Sequence, residues 1–107
     1  MNKMKTMVLA ASTAVLSLGA VANAAAEDVQ ALAAKSGCLA CHQVEVKVVG
    51  PAYKDVAAKY KGQDVLDKLA AKVKAGGVGV WGEIPMPPNV NVSEEDIKTI
   101  VTWVLSL

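Results

Sequence analysis

The chain has 107 residues, of which 53% are hydrophobic, with no phenylalanine and only two tryptophans and two tyrosines. This length allows one small domain and excludes a large enzyme core. All 11 basic residues are lysines, balanced by 10 acidic residues. Because the chain has neither arginine nor a basic stripe, we do not expect it to bind nucleic acid.

The first 24 residues have the pattern of a secretory signal peptide. Lys3 and Lys5 precede an uncharged apolar run over residues 7–21, and Ala22-Asn23-Ala24 supplies the small residues of a cleavage site. The run is too short, and too rich in Ser, Thr and Gly, for a membrane span. We therefore predict cleavage after Ala24 and one domain over residues 25–107. This domain contains nine lysines and ten acidic residues, which gives a net charge of −1.

Hydrophobic periodicity predicts helices in this domain. Asp28 is expected to cap a first helix that runs toward Gly37. Gly50-Pro51 interrupts the chain, and a short second helix is expected over residues 53–60. No alternating strand pattern is present, so we predict an all-α fold with three or four short helices.

The second half of the domain contains two more predicted helices. The third covers residues 63–74 and ends at Gly76-Gly77, as a helix C-terminus does. Residues 76–92 are expected to form an extended loop, after which Ser93 opens the last helix. The apolar face of this helix is expected to consist of Ile97, Ile100, Val101, Val104 and Leu105.

Cys38-Leu39-Ala40-Cys41-His42 is a C-x-x-C-H motif, the pattern of covalent c-type haem attachment. Cysteines three positions apart lie on one turn, so both sulfurs can form thioethers with the two vinyl groups of one haem. His42, the only histidine in the chain, provides an imidazole for the iron. The sequence therefore predicts one haem c, which would also supply apolar surface that so small a domain lacks.

Other roles for the motif fit the sequence less well. A thioredoxin-like redox pair is expected within a βαβ unit, and no strand pattern is present. A zinc site needs about four ligands, whereas two cysteines and one histidine supply only three. A structural disulfide would close a very small loop and leave His42 without a role.

Met86 is the candidate for the sixth iron ligand. The other three methionines belong to the predicted signal peptide. A methionine in a small protein is most often part of the core, but Pro85 and Pro87 stiffen the segment around Met86. A stiff segment can hold a thioether against the iron, so we predict that Met86 is the second axial ligand.

Ligation by histidine and methionine implies electron transfer and not catalysis. The thioether favours ferrous iron and raises the reduction potential, and no axial position is left for oxygen, peroxide or a substrate. Two other classes are kept as alternatives. One is an enzyme or gas sensor with an open haem, such as a peroxidase domain or a cytochrome c′-like protein, and the other is a haem-free redox or metal module.

Four segments, at residues 37–42, 49–57, 79–89 and 103–106, carry a joint pattern with Gly-Cys-Leu-Ala-Cys-His, Gly-Pro-Ala-Tyr, Ile-Pro-Met-Pro-Pro-Asn and Trp-Val-Leu-Ser at their centres. Together they resemble the small class I monohaem bacterial cytochromes c of the c-551/c-552 type, over residues 27–107. The resemblance implies the class I cytochrome c fold, with short helices wrapped around one covalently attached haem. Ala33 and Tyr60 stand where phenylalanines are expected, which affects packing and not ligation.

The resemblance also implies roles for further residues. The Pro51 carbonyl would accept the second N–H of His42 and orient the ring. Trp81 would reach a haem propionate through its indole N–H, with plain core packing as the alternative. Asn89 would tune the Met86 sulfur, with a polar turn residue as the alternative. Gly37 would let the first helix approach the last, or would simply end the first helix.

The implied function is that of a soluble periplasmic carrier of single electrons, and not of an enzyme. Its donor would be a membrane quinol-oxidising complex, and its acceptor a nitrite reductase or a terminal oxidase. We expect a monomer with no stable membrane insertion and with weak, transient docking on a small surface. The candidate docking residues are Lys35, Lys47, Lys54, Lys59 and Lys61 around the haem edge, with an ordinary solvated face as the alternative role of these lysines. Val44, Val46, Val48 and Val49 are candidates for an apolar contact patch near that edge.

Overall fold

The structure, a computed structural model, describes the backbone of residues 18–107 and the side chains of residues 25–107. That range contains four α-helices, α1 (Leu18–Lys35), α2 (Tyr53–Lys59), α3 (Leu66–Ala75) and α4 (Glu94–Leu105), and a 3-10 turn at Cys38–Ala40. Its only β-type pairings are two isolated bridges. The predicted all-α class is therefore confirmed. No helix within these residues is both long enough and apolar enough to cross a membrane.

The start of α1 differs from the prediction. The helix begins at Leu18, so Asp28 lies inside it and is not its N-cap. Five of the nine residues between Leu18 and Asp28 are alanine, which has the highest helix propensity, and none of them is proline. The helix therefore continues across the predicted cleavage position after Ala24. The rest of the predicted signal peptide, residues 1–17, lies outside the described residues.

Gly37 follows α1 with a φ of 82°, a left-handed conformation that favours glycine. Its amide donates to the Ala34 carbonyl at 3.1 Å and closes the last turn. A Cβ at this position would meet no atom within 4 Å. The glycine is therefore needed to end the helix, and the alternative of a close approach to the last helix is wrong.

The second and third helices lie close to their predicted positions. α2 matches the predicted span within one residue, and α3 begins at Leu66, slightly later than predicted. The difference arises because Gln63 still belongs to the turn after α2, with its amide donating to the Tyr60 carbonyl at 3.0 Å. α3 ends at Gly76, whose φ is 77°, as the glycine pair predicts.

α4 joins the other three helices, because its apolar residues pack in two directions. One pair, four residues apart, faces α1 and α2, and a second such pair faces α3. Ile97 is the one large side chain in the described part of the chain that is less than 2% exposed, so the protein core is small. The first buried cluster consists of Ala33, Tyr53, Ile100 and Val104, and the second of Ala70, Ile97 and Val101.

The N-terminus of α4 is capped by Ser93, whose Oγ accepts the Asp96 amide at 3.1 Å, as the sequence predicts. We expect Ser93→Ala to lower the free energy of unfolding by about 1 kcal/mol, because an orphan amide loses its acceptor. Thr99→Ala in the same helix is the control. Its hydroxyl only donates back to the Glu95 carbonyl, so this change should be neutral or slightly stabilising. Denaturant titration of both variants measures the difference, and equal losses would contradict the capping role.

Candidate haem-binding site

The C-x-x-C-H motif forms a single tight turn after α1. Cys38 begins the 3-10 turn, and the amides of Cys41 and His42 both donate to the Cys38 carbonyl, at 3.3 and 3.0 Å. A 3-10 helix has three residues per turn, so side chains three positions apart lie on the same side. The two cysteines are half-buried free thiols. The turn therefore places two free sulfurs on one side, as attachment to a single flat group requires.

The imidazole of His42 is oriented by a hydrogen bond to the Gly50-Pro51 pair that follows the motif. Its Nδ1 lies 2.8 Å from the Pro51 carbonyl oxygen. A carbonyl only accepts, so Nδ1 carries the proton, and in the neutral ring the Nε2 lone pair is available for a metal. The resemblance implied this hydrogen bond between His42 and Pro51, and it is present in the structure.

Two further residues that contact the His42 ring were missed in the sequence analysis. A Cβ on Gly50 would lie only 2.4 Å from His42 Cε1, so no larger residue fits against the ring. The Tyr53 ring stacks on the His42 ring, with centroids 5.0 Å apart and planes inclined by 17°. Tyr53 also makes an edge-to-face contact with Trp103. The sequence identified Gly50 as a helix breaker, Tyr53 as a helix start and both as part of the Gly-Pro-Ala-Tyr pattern. None of these observations reveals a contact with a distant ring.

Met86 is held by backbone pairing with the residue just beyond α3. The Met86 amide donates to the Gly77 carbonyl at 2.8 Å, and the Gly77 amide donates to the Met86 carbonyl at 3.1 Å. Gly76 leaves room for this pairing, because a Cβ there would lie 2.6 Å from the Met86 carbonyl oxygen. Its φ of 77° and ψ of 178° form a combination essentially confined to glycine. The glycine pair therefore ends the helix and leaves room for residues 86–92, here called the methionine segment.

The Asn89 side chain donates to two backbone carbonyls. Its Nδ2 lies 3.0 Å from the Val73 carbonyl oxygen and 3.3 Å from that of Pro87. These bonds occupy both amide hydrogens in this structure, and the role toward the Met86 sulfur that the resemblance implied stays a prediction. The unpaired carbonyls at the C-terminus of α3 compete for the amide because they lack helical partners. In this structure Asn89 is a cap on α3 that fixes the methionine segment.

A cavity with about 1080 Å³ of empty space, part of it open to solvent, brings the predicted residues together. Most of its wall is apolar, with Leu69, Val73, Ile97 and Val101 among the contributors from α3 and α4. Of the predicted site residues, Cys41 alone is not part of the wall, although it lies between Ala40 and His42 on the attachment turn. The predicted site residues in the wall are Cys38, His42, Pro51, Trp81, Met86 and Asn89.

The loop side of the cavity exposes apolar surface that the protein itself does not cover. Val80 is 43%, Trp81 40% and Ile84 64% exposed, and all three line the cavity. Exposed apolar residues that share a concave surface mark a binding site. Lys59 Nζ lies 5.3 Å from the centroid of the Trp81 ring, a cation–π distance that links α2 to this loop. A large, flat apolar group fits this wall.

Burial keeps the first cysteine of the motif neutral. Desolvation raises the pKa of the Cys38 thiol above its ordinary value, against a smaller lowering by a hydrogen bond with Tyr53. Desolvation also raises the pKa of Tyr53. A zinc site requires the thiolate, and this desolvation opposes thiolate formation at Cys38.

Residues 26–107 match the Cytochrome c family. Cytochrome c-551 of Allochromatium vinosum is 64% identical over 77 residues, which cover 71% of this chain and 82% of the relative. Cytochrome c-551 of Pseudomonas aeruginosa is 54% identical over 82 residues, covering 76% and 78%. The crystal structure of wild-type Nitrosomonas europaea cytochrome c552 superposes with a TM-score of 0.71 at 59% identity, covering 73% of this chain and 98% of that one.

The chain therefore belongs to the cytochrome c family, among the small class I members of the c-551/c-552 type. Proteins of this type are small electron carriers that contain covalently bound haem c with its iron. The residues present fit that cofactor, because the Cys38 thiol, the oriented His42 imidazole and uncovered apolar surface meet in one cavity, and the Cys41 thiol lies on the same turn. The thioredoxin-like alternative is excluded by the all-α fold of residues 18–107.

Because Gly50 packs so closely on His42, Gly50→Ala should displace the imidazole and lower the free energy of unfolding of the holoprotein by about 1–3 kcal/mol. Gly77→Ala is the matched control. Neither glycine has a positive φ, and a Cβ at Gly77 meets only the flexible Lys72 side chain, with Cε at 2.9 Å. Denaturant titration followed by haem absorption compares the two. A loss for Gly77→Ala as large as that for Gly50→Ala would refute the steric argument.

Proposed function

We propose that this protein is a soluble carrier that passes single electrons through a haem c ligated axially by His42 and Met86. The observation that carries the proposal is that both residues line one apolar cavity. The His42 ring is held by its hydrogen bond with the Pro51 carbonyl, and Met86 by its backbone pairing with Gly77. When bound, the haem iron supplies a one-electron couple between its ferric and ferrous states. The protein contributes the two ligands, their orientation and the exclusion of water.

The attachment residues in this proposal are Cys38 and Cys41, each through a thioether. Their free thiols on one 3-10 turn, directly before His42, support that assignment. Pro51 is proposed to orient His42 through its carbonyl. Trp81 is proposed to donate its indole N–H to a propionate, which its half-exposed position in the cavity wall supports.

The proposal does not include enzymatic activity. An enzyme or gas sensor needs an axial position that a small molecule can reach. Here the Met86 backbone is paired on both sides with Gly77, in a segment that two prolines also stiffen. This arrangement supports a permanent sixth ligand over an open site.

Met86→Ala tests the axial ligand. The variant should lose the sulfur-to-iron charge-transfer band of the oxidised protein, bind carbon monoxide when reduced, and have a potential lower by on the order of 0.1 V, because a thioether stabilises ferrous iron. Ile84→Ala, an exposed residue of the same cavity wall, is the control and should keep the band. An unchanged spectrum and potential in Met86→Ala would show that another group ligates the iron.

We also propose that residues 1–24 are a signal peptide and that residues 25–107 function in the periplasm. The family match begins at residue 26, which supports a boundary close to Ala24. The described part of α1 crosses this position. A helix does not fit an extended peptide-bond substrate, so cleavage requires this part of α1 to unwind locally.

Mass spectrometry of the protein from a secreting host tests the boundary. We expect a chain of 83 residues that begins at Ala25 and carries one haem, recovered from the periplasmic fraction. Replacing Ala22 and Ala24 by leucine should block processing, whereas replacing Ala25 and Ala26 should not. Full-length protein recovered in the cytoplasm with haem attached would contradict both the boundary and the location.

Partner docking is proposed to use the apolar segment beside His42. Val46, Val48 and Val49 are 59%, 52% and 44% exposed. Val44 does not belong to this surface, because its side chain packs against the first core cluster. A membrane quinol-oxidising complex is the proposed donor, and a nitrite reductase or terminal oxidase the proposed acceptor. Stopped-flow mixing with each isolated complex decides between acceptors, and no electron exchange with any of them would refute this assignment.

A further inference from the structure

The methionine segment, residues 86–92, is attached at several points to the last turn of α3 and to the glycine pair that follows it. The Met86 end pairs with Gly77. In the middle, the backbone N–H of Asn89 donates to the carbonyls of Val73 and Lys74, at 3.3 and 3.2 Å. The Val92 end of the segment is attached to α3 through the side chain of an α3 residue.

That side chain is Lys74. Its Nζ donates to the Val92 carbonyl at 2.6 Å and to the Val90 carbonyl at 3.3 Å. Lys74 therefore contacts the methionine segment at three residues, because its own carbonyl also accepts the Asn89 amide. Charge-assisted hydrogen bonds of this kind are stronger than neutral ones. A cation in the last turn also lies at the negative end of the helix dipole.

The two residues whose carbonyls bind the Lys74 ammonium group differ in how their own side chains pack. Val92 packs against the second core cluster and lines the cavity, and Lys74 Nζ binds its carbonyl directly. Val90 is 68% exposed and has no comparable packing of its own. Between Asn89 and the start of α4, the segment is therefore held by the packing of Val92 and by the Lys74 ammonium group.

We propose that Lys74 is a positioning residue for the axial methionine, and that its ammonium group limits how readily the methionine segment opens to expose the iron. The inference rests on the proposed ligation by Met86. For an added ligand to replace the thioether, the segment has to move away from the cavity. If that motion separates the segment from α3, the two Lys74 hydrogen bonds are lost in the open state and oppose opening.

Imidazole binding to the oxidised holoprotein measures this opening, because imidazole replaces the methionine and abolishes the charge-transfer band. Lys74→Leu should raise the imidazole affinity roughly five- to tenfold, since two contacts that are lost on opening are already absent. Lys74→Arg should stay close to the unmodified protein, because the guanidinium retains donors for two carbonyls.

Two reference variants separate positioning from general effects. Lys68→Leu removes the same charge from an exposed position on α3 and should leave the affinity unchanged. Ser93→Ala weakens the fold through the cap of α4 without touching Lys74, so it reports what general destabilisation does to imidazole binding. Amide hydrogen exchange at Asn89 gives an independent readout and should accelerate in Lys74→Leu alone.

The outcomes are distinct. An unchanged imidazole affinity in Lys74→Leu overturns the inference, as does an equal increase in Ser93→Ala or Lys68→Leu. The proposed ligation is checked separately, since Met86→Ala must bind imidazole more tightly than every Lys74 variant. If Met86→Ala behaves like the unmodified protein, both the ligation and the role of Lys74 fail. If only Lys74→Leu is unchanged, the ligation stands and the inference fails.

Discussion

The hydrogen bond between His42 Nδ1 and the Pro51 carbonyl is the interaction on which the rest of the site depends. At 2.8 Å it sets both the tautomer and the orientation of the only imidazole in the chain. It also explains the residues beside it, because Gly50 leaves room for the ring and Tyr53 stacks on it. Tyr53 belongs to the first core cluster, so the orientation of the ring is connected to the packing of α1, α2 and α4.

The second half of the site is built by the C-terminus of α3. A helix end has carbonyl groups without helical partners, and here Asn89 donates to them while Gly77 pairs with Met86. These protein contacts attach the methionine segment to the end of α3. Under the proposed ligation, they limit how far Met86 moves when the iron gains or loses one electron.

The cavity accounts for the composition of the chain. The described domain has only one large side chain that is almost fully buried, and it contains no phenylalanine. The apolar residues that would complete a core instead surround the cavity or lie exposed at its edge. A haem that fills this space acts as the largest component of the core, so cofactor binding and stability are coupled. Ala33 likewise contributes little apolar volume to the core, because this small side chain is completely buried where the family resemblance leads one to expect a phenylalanine.

The sequence by itself determined the features that depend on neighbouring residues: the C-x-x-C-H turn, the stop at Gly76, the cap at Ser93 and the single available methionine. Local reasoning failed at Asp28, because the alanines before it continue the helix. Only the tertiary structure decided which groups meet across space, namely Gly50 and Tyr53 on the imidazole, Asn89 on α3 and Lys74 on the methionine segment. Periodicity and motif spacing encode which side of an element a residue occupies, but a contact between distant segments depends on how the helices pack around the cavity.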